Sequence, residues 1–510
     1  MGYSVPIDAI AGTDFRPNPD FLAPGRFRFI VCSDFISKRR LRVVEYKTLP
    51  DRNSAPYAAV SYPWNGLKAC GCSKPSQFFQ LPLEGGQLSD RISFAVLQTA
   101  CRAARRLGAD LLWIDQICII QTDAYDKEWQ IARMFALYKQ CKASLVLPGG
   151  LQRLAAPDES TNWIERSWTL QEAMPKATYT IFRWRLGSGE VRGLTEGRID
   201  EIEEGQTAMM ELGKMLQAAF VGGLPWGTDR QSIRLKIFGP NRDPILALMG
   251  VKEARSAEMR DMAVWRSALL RTCSQPRDTI LSIMGIFGVT LDVGSYEKDD
   301  REKAAADLAF EILKNRRRPS WLGAAPGCGN MPNMCSMPSF PVVDGREVYY
   351  SVDGQKKKAW DVIGTGLTWF VKQAAKATMG ERGSGRLHLT AKTLRIKLGA
   401  SRSSSASCWE GFGFEAAMVL NEGAERGRAV GPIHISRSLP QGDYQALVAG
   451  LIEHFQLPAT AARAQAGAAL LMILRWNYTM EGWEPLTYGT LGNIEDVARS
   501  WPTCIHAIGC

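Results

Sequence analysis

The stretch Asp110-Leu-Leu-Trp-Ile-Asp-Gln-Ile-Cys-Ile-Ile-Gln121 is an apolar run broken by one acid, Asp115. Four consecutive apolar residues, Leu111 to Ile114, predict a strand covered on both faces, a pattern found mostly in parallel sheets packed between helices. Asp115 then falls at the carboxyl end of that strand. Ligands of open α/β sheets bind at that end, so the acid is a candidate site residue. It is equally an acid that caps the following turn, since Asp often bonds to backbone two residues on.

The neighbouring segments repeat the alternation of strand and helix. Tyr57 to Tyr62 is a strand stopped by Pro63, and Pro63-Trp64-Asn65-Gly66 reads as a turn. Arg91 to Leu107 carries a helical stripe, with Ser89 as its cap and Gly108 at its end. Thr122 and Asp123 offer caps for a helix whose Ile131, Met134, Phe135 and Tyr138 face the sheet. Ala143 to Leu147 is a third strand, Trp163 to Ala173 a short helix begun by Asn162 and stopped by Pro175, and Ala177 to Phe182 a fourth strand. This order predicts an α/β fold with a parallel, flavodoxin-like sheet flanked by helices.

Around this core, Arg26 to Cys32 and Leu41 to Tyr46 are strand-like runs in a lead-in, residues 1–56. Residues 186–318 read as helical, with an acidic start at Asp200 to Glu204 and good helices at Asp261 to Arg271, Thr279 to Phe287 and Arg301 to Lys314. Residues 319–510 read as an irregular α+β region without an assignable role. There, Leu394, Ile396 and Leu398 alternate as in a strand, Gln441 to Phe455 and Ala459 to Trp476 read as helices, and 380–385 and 401–407 read as loops.

Composition narrows the function classes. Lys and Arg exceed Asp and Glu by 62 to 52, a modest excess for 510 residues. The basic runs at 38–40, 316–318 and 356–358 are scattered, which argues for a solvated surface and against a nucleic-acid stripe. Ala468 to Leu474 is too short for a membrane span. The twelve cysteines are spread along the chain, several inside apolar patterns, as expected of free thiols in a reducing, cytoplasmic compartment. All four histidines lie at 388 or beyond, which removes histidine-based catalysis from the α/β region. No phosphate loop or H-E-x-x-H occurs, and no metal or cofactor set is legible. Cys70-Gly-Cys72 resembles half of a zinc site without a second pair nearby.

The remaining chemical segment is Arg166-Ser-Trp-Thr-Leu-Gln-Glu172. Trp168 and Glu172, spaced i and i+4, share one helix face. A carboxylate beside an apolar ring can serve as an acid, a base or a hydrogen-bond acceptor. The alternative is structural: Trp168 in the core and Glu172 bonded to a neighbouring loop.

Three stretches together resemble the heterokaryon incompatibility (HET) domain of filamentous fungi: Tyr57-Ala-Ala-Val-Ser-Tyr-Pro-Trp64, Leu112-Trp-Ile-Asp-Gln-Ile-Cys-Ile-Ile-Gln121 and Arg166-Ser-Trp-Thr-Leu-Gln-Glu172. The resemblance assigns residues 57–185 to that domain. Two departures are Asn65, inserted before Gly66, and Ile120, where the family usually has Asn or Asp. The resemblance implies non-self recognition between fused hyphae, ending in growth arrest or cell death. It also implies protein partners of that signalling and possible self-association. The order of elements is further similar to the Toll/interleukin-receptor (TIR) domain. That similarity carries over only to Glu172 and Trp168 and implies an enzymatic alternative, hydrolysis of NAD as a substrate with Glu172 as the catalytic carboxylate; Tyr62, Trp64 and Asp115, expected at the carboxyl edge, join Trp168 as candidate substrate-binding residues.

Overall fold

The computed structural model describes residues 2–315 apart from 19–20, 192–196 and 227–230, and beyond 316 a series of segments, chiefly strands, reaching residue 508. The chain forms two compact units, residues 1–245 with 281–295, and residues 246–280 with 296–510.

The first unit is built on a ten-stranded sheet. In chain order its strands are β1 (Gly2–Pro6), β2 (Phe27–Val31), β3 (Arg40–Tyr46), β4 (Tyr57–Ser61), β7 (Leu111–Trp113), β8 (Ala143–Val146), β9 (Thr178–Arg183), β10 (Gly189–Val191), β11 (Gly197–Glu203) and β12 (Thr207–Glu211). The short β5 (Phe78–Phe79) and β6 (Ile92–Ser93) pair with each other outside it. The spatial order is β1-β3-β2-β7-β4-β8-β9-β12-β11-β10.

The four strands read from the sequence, β7-β4-β8-β9, are the parallel centre of this sheet. Numbered among themselves they run 2-1-3-4, the opening of the flavodoxin order. The sheet is not parallel throughout, however. Six further strands join it antiparallel on both sides, through β2 against β7 and β12 against β9. Short connections dictate this: three residues join β11 to β12, and a parallel crossover needs a dozen or more.

The lead-in is therefore part of the sheet. Likewise Asp200 to Glu203, expected to open a helical region, lie in β11, where Ile199 and Ile202 are buried. Two of the later helices, α10 (Ala257–Leu269) and α12 (Arg301–Lys314), form close to where they were expected.

The parallel centre is apolar on both faces. Tyr57, Ala58, Ala59, Val60, Leu112, Trp113 and Leu145 are buried together in one core. Helix α3 (Phe94–Arg106) links β4 to β7, and its start is capped by Ser93, which accepts from Val96 N, rather than by Ser89. Asp123 caps the next helix as expected, accepting from Asp126 N at 2.7 Å. The expected single helix is two, α5 (Ala124–Ile131) and α6 (Met134–Gln140), broken around Ala132 and Arg133. Because β7 and β8 flank β4 on opposite sides, right-handed crossovers place α3 and α6 on opposite faces of the sheet.

In the second unit, Trp265 of α10 stands edge-on to Trp321 with ring centroids 6.3 Å apart. A nine-stranded sheet occupies segments between Trp369 and Ile508. It contains the strand Leu387–Gly399, in line with the alternation there. It also contains Asp443–His454 and Ala469–Asn477, which were expected to be helices. Apolar runs with much Ala and Leu do not distinguish helix from strand by period, and nonlocal pairing decides. The loops expected at 380–385 and 401–407 lie outside the described residues.

Candidate functional site at the carboxyl edge of the parallel strands

Alternation along β4 sends Tyr57, Ala59 and Ser61 to one face and Ala58, Val60 and Tyr62 to the other. Tyr57 OH donates to Leu137 O of α6 at 2.6 Å, so the Ser61 face is the α6 face. Two carboxylates meet the end of this strand, each bonded to one of two consecutive residues.

Asp115 follows β7 and opens the short helix α4 (Asp115–Cys118). Its Oδ1 accepts from Tyr62 OH and from Gln116 N at 2.7 Å, and its Oδ2 from Trp64 Nε1 at 2.6 Å. As a residue Asp115 is half-buried. Burial outweighs these donors and holds its carboxyl above the ordinary range. Burial and the neighbouring Asp115 together push the Tyr62 phenol well up. The Trp64 ring that Asp115 fixes is 38% exposed.

The loop beyond Asp115 is anchored from below. Asp126 accepts from Ile120 N and from Arg28 NH1, each at 2.9 Å, and from Gly25 N at 2.8 Å, with Arg28 and Asp126 both buried. Where Ile120 lacks a polar side chain, Gln121 supplies one, its Nε2 donating to Asp115 O at 2.9 Å.

Glu172 closes the second half of the edge. The segment before it is not the continuous helix expected over 163–173. A tight turn at Trp163–Glu165 gives way to extended backbone at Arg166, and only Thr169–Glu172 is α-helical, as α7. Thr169 Oγ1 donates within this bend, 2.8 Å from both Trp163 O and Arg166 O. Trp168 and Glu172 still stand one turn apart, and Trp168 packs half-buried against the core. Ser61 Oγ donates to Glu172 Oε2 at 2.6 Å and accepts from Trp163 Nε1 at 2.9 Å. The indole nitrogen can only donate, which fixes the direction of this relay. Tyr138, whose OH donates to Val60 O at 2.8 Å, feels both acids. Burial first, then the charges of Glu172 and Asp115, push its phenol well up.

Glycine shapes the outer loop by close approach. A methyl on Gly66 would land against the Gly149 carbonyl and 2.9 Å from Gly150 Cα. Gly150 itself turns with φ +87°, a conformation that favours glycine. Leu67 N donates to Gly149 O at 2.8 Å, joining the Trp64 loop to the loop after β8. The Asn65 insertion is thus accommodated with Gly66 at the contact.

The structure brings Tyr62, Trp64 and Asp115 into one bonded group and seats Glu172 on the adjoining residue. Ser61 and Trp163 were missed in the sequence. Ser61 carried a signal: a small hydroxyl side chain in a strand covered on both faces needs a buried partner.

These features define an α/β domain with a polar constellation at the carboxyl ends of its parallel strands. Residues 57–156 match the family model described as Heterokaryon incompatibility protein (HET), so the chain carries a HET domain there. The matched residues include Ser61, Tyr62, Trp64 and Asp115 and stop before Trp163 and Glu172. No curated protein matches the chain, and neither does any solved structure.

Proposed function

We propose that the chain is an effector or regulator of heterokaryon incompatibility, a cytoplasmic signalling module that recognises protein partners and induces growth arrest or cell death. The observation that carries this reading is the HET match over the edge where Asp115 holds Trp64 partly exposed. A ring fixed in this way is a contact surface that needs no chemistry of its own. The eight described cysteines are free thiols, in keeping with a reducing compartment. No described helix is long and apolar enough to cross a membrane. Induced expression of the full chain in a filamentous fungus tests the reading. Growth arrest is expected, and unimpaired growth with intact protein present counts against it.

A second reading rests on Glu172, whose carboxylate is held at the carboxyl edge by the Ser61 relay. By the similarity to TIR domains, this carboxylate stabilises the positive charge that develops on the ribose as NAD loses nicotinamide, with Trp64 or Trp168 against the base. Its test is nicotinamide release from NAD by concentrated protein. Release lost in both Glu172→Ala and Glu172→Gln supports this role, and release that persists in both removes it.

A further inference from the structure

Of the eight cysteines described, Cys70 and Cys72 are the exposed ones, while Cys32, Cys101, Cys118 and Cys141 are buried. Their sulfurs lie 2.7 Å apart. Ser73 N donates to Cys70 O at 2.9 Å, closing a tight turn around Gly71 that sets the two thiols side by side. A Cβ at Gly71 would meet nothing within 4 Å, so solvent reaches the turn freely. The chain entering it is tied down. Ala69 N donates to Gln152 Oε1 at 3.1 Å, and Lys68 O accepts from Arg153 Nε at 2.9 Å.

We propose that Cys70 and Cys72 are a redox modification site, a dithiol that closes reversibly to a disulfide by exchange with a low-molecular-weight disulfide such as oxidised glutathione. The two thiols have distinct parts. The Cys72 thiol, the Cys72 backbone N–H and the Arg153 guanidinium all favour the Cys70 thiolate, whereas the Cys72 thiol is held up by Cys70. We assign the first attack to Cys70, the thiol nearer in the chain to Lys68, where the Arg153 guanidinium is anchored. Its thiolate displaces one glutathione thiolate and forms a mixed disulfide. Cys72 then loses its proton to solvent and attacks the Cys70 sulfur, releasing the second glutathione thiolate. Two electrons pass from the protein dithiol to the glutathione disulfide, which leaves as two thiols.

Among the described residues no group of three or more His, Cys, Asp or Glu side chains converges to hold a metal. In a reducing compartment an exposed pair of this kind is a sensor rather than a structural staple. It sits in the loop that starts at Trp64.

The test incubates the native full-length chain with oxidised glutathione, alkylates the remaining thiols after denaturation and maps the peptides by mass. The expected product is a peptide spanning Cys70 and Cys72 that is lighter by two hydrogen atoms, regains both on treatment with dithiothreitol, and coexists with alkylated Cys32 and Cys101. In Cys72→Ser the reaction is expected to stop at a glutathione adduct on Cys70. The proposal is overturned if both cysteines stay alkylatable under conditions that close a control dithiol peptide. It is equally overturned if the wild-type chain stops at separate glutathione adducts.

Discussion

Ser61 is the residue whose loss reports most directly on the inner half of the edge. Its hydroxyl is fully buried and joins two buried partners, Trp163 Nε1 at 2.9 Å and Glu172 Oε2 at 2.6 Å. A hydrogen bond to a carboxylate contributes roughly 1.5–3 kcal/mol and a neutral one about 1 kcal/mol, so Ser61→Ala is expected to cost about 2.5–4 kcal/mol. For a unit of this size each kcal/mol moves the midpoint by roughly 2–4 °C, so a fall of about 5–15 °C is expected. Thr180 in β9 provides the contrast. It is also fully buried, but among the described residues its hydroxyl has no partner. Thr180→Val therefore removes no bond and is expected to be neutral or to stabilise by about 1 kcal/mol. Thermal unfolding of both variants, with amide exchange in β4 and β8 identifying the relevant transition, makes the comparison. Ser61→Ala melting within about 1 °C of wild type would show that the relay contributes nothing, against the bond strengths used here.

Three further expectations follow from the same geometry. Because the folded carboxyl of Asp115 is raised, the folded state takes up its proton more readily than the unfolded state. Wild type should therefore gain stability relative to Asp115→Asn as pH falls through the raised folded value, with the gain complete below the ordinary value of about 3.9, in paired denaturant titrations. Gly66→Ala, which meets backbone at Gly149 and Gly150, is expected to cost about 1–3 kcal/mol in denaturant unfolding, whereas Gly71→Ala in the open turn is expected to be nearly silent. Asp126→Ala removes the acid bonded to buried Arg28 and should cost about 3–5 kcal/mol by the same measurement.

What could be read from the sequence follows from where burial leaves an unambiguous pattern. Leu111 to Ile114 and Tyr57 to Tyr62 are covered on both faces, and continuous apolar residues announce such strands. Strand β11, Gly-Arg-Ile-Asp-Glu-Ile-Glu, carries so many charges that its buried Ile199 and Ile202 do not stand out. The break between α5 and α6 was hidden because the apolar stripe runs across it. At the site, the acids Asp115 and Glu172 are conspicuous against apolar surroundings. Their partners are not, because Ser61 and Trp163 are joined by a bond spanning 102 positions that no local pattern encodes.

In the proposed function, the carboxyl edge of the parallel strands, with Trp64 as its outward face, carries the growth-arresting output. Trp64 is 38% exposed, and its removal also takes the Nε1 donor from Asp115, so the comparison is made on protein shown to be folded. The most direct measurement is hyphal growth on induction of the full chain, wild type against Trp64→Ala, at matched protein levels. Arrest is expected with wild type and restored growth with Trp64→Ala. Equal arrest by both proteins would contradict it.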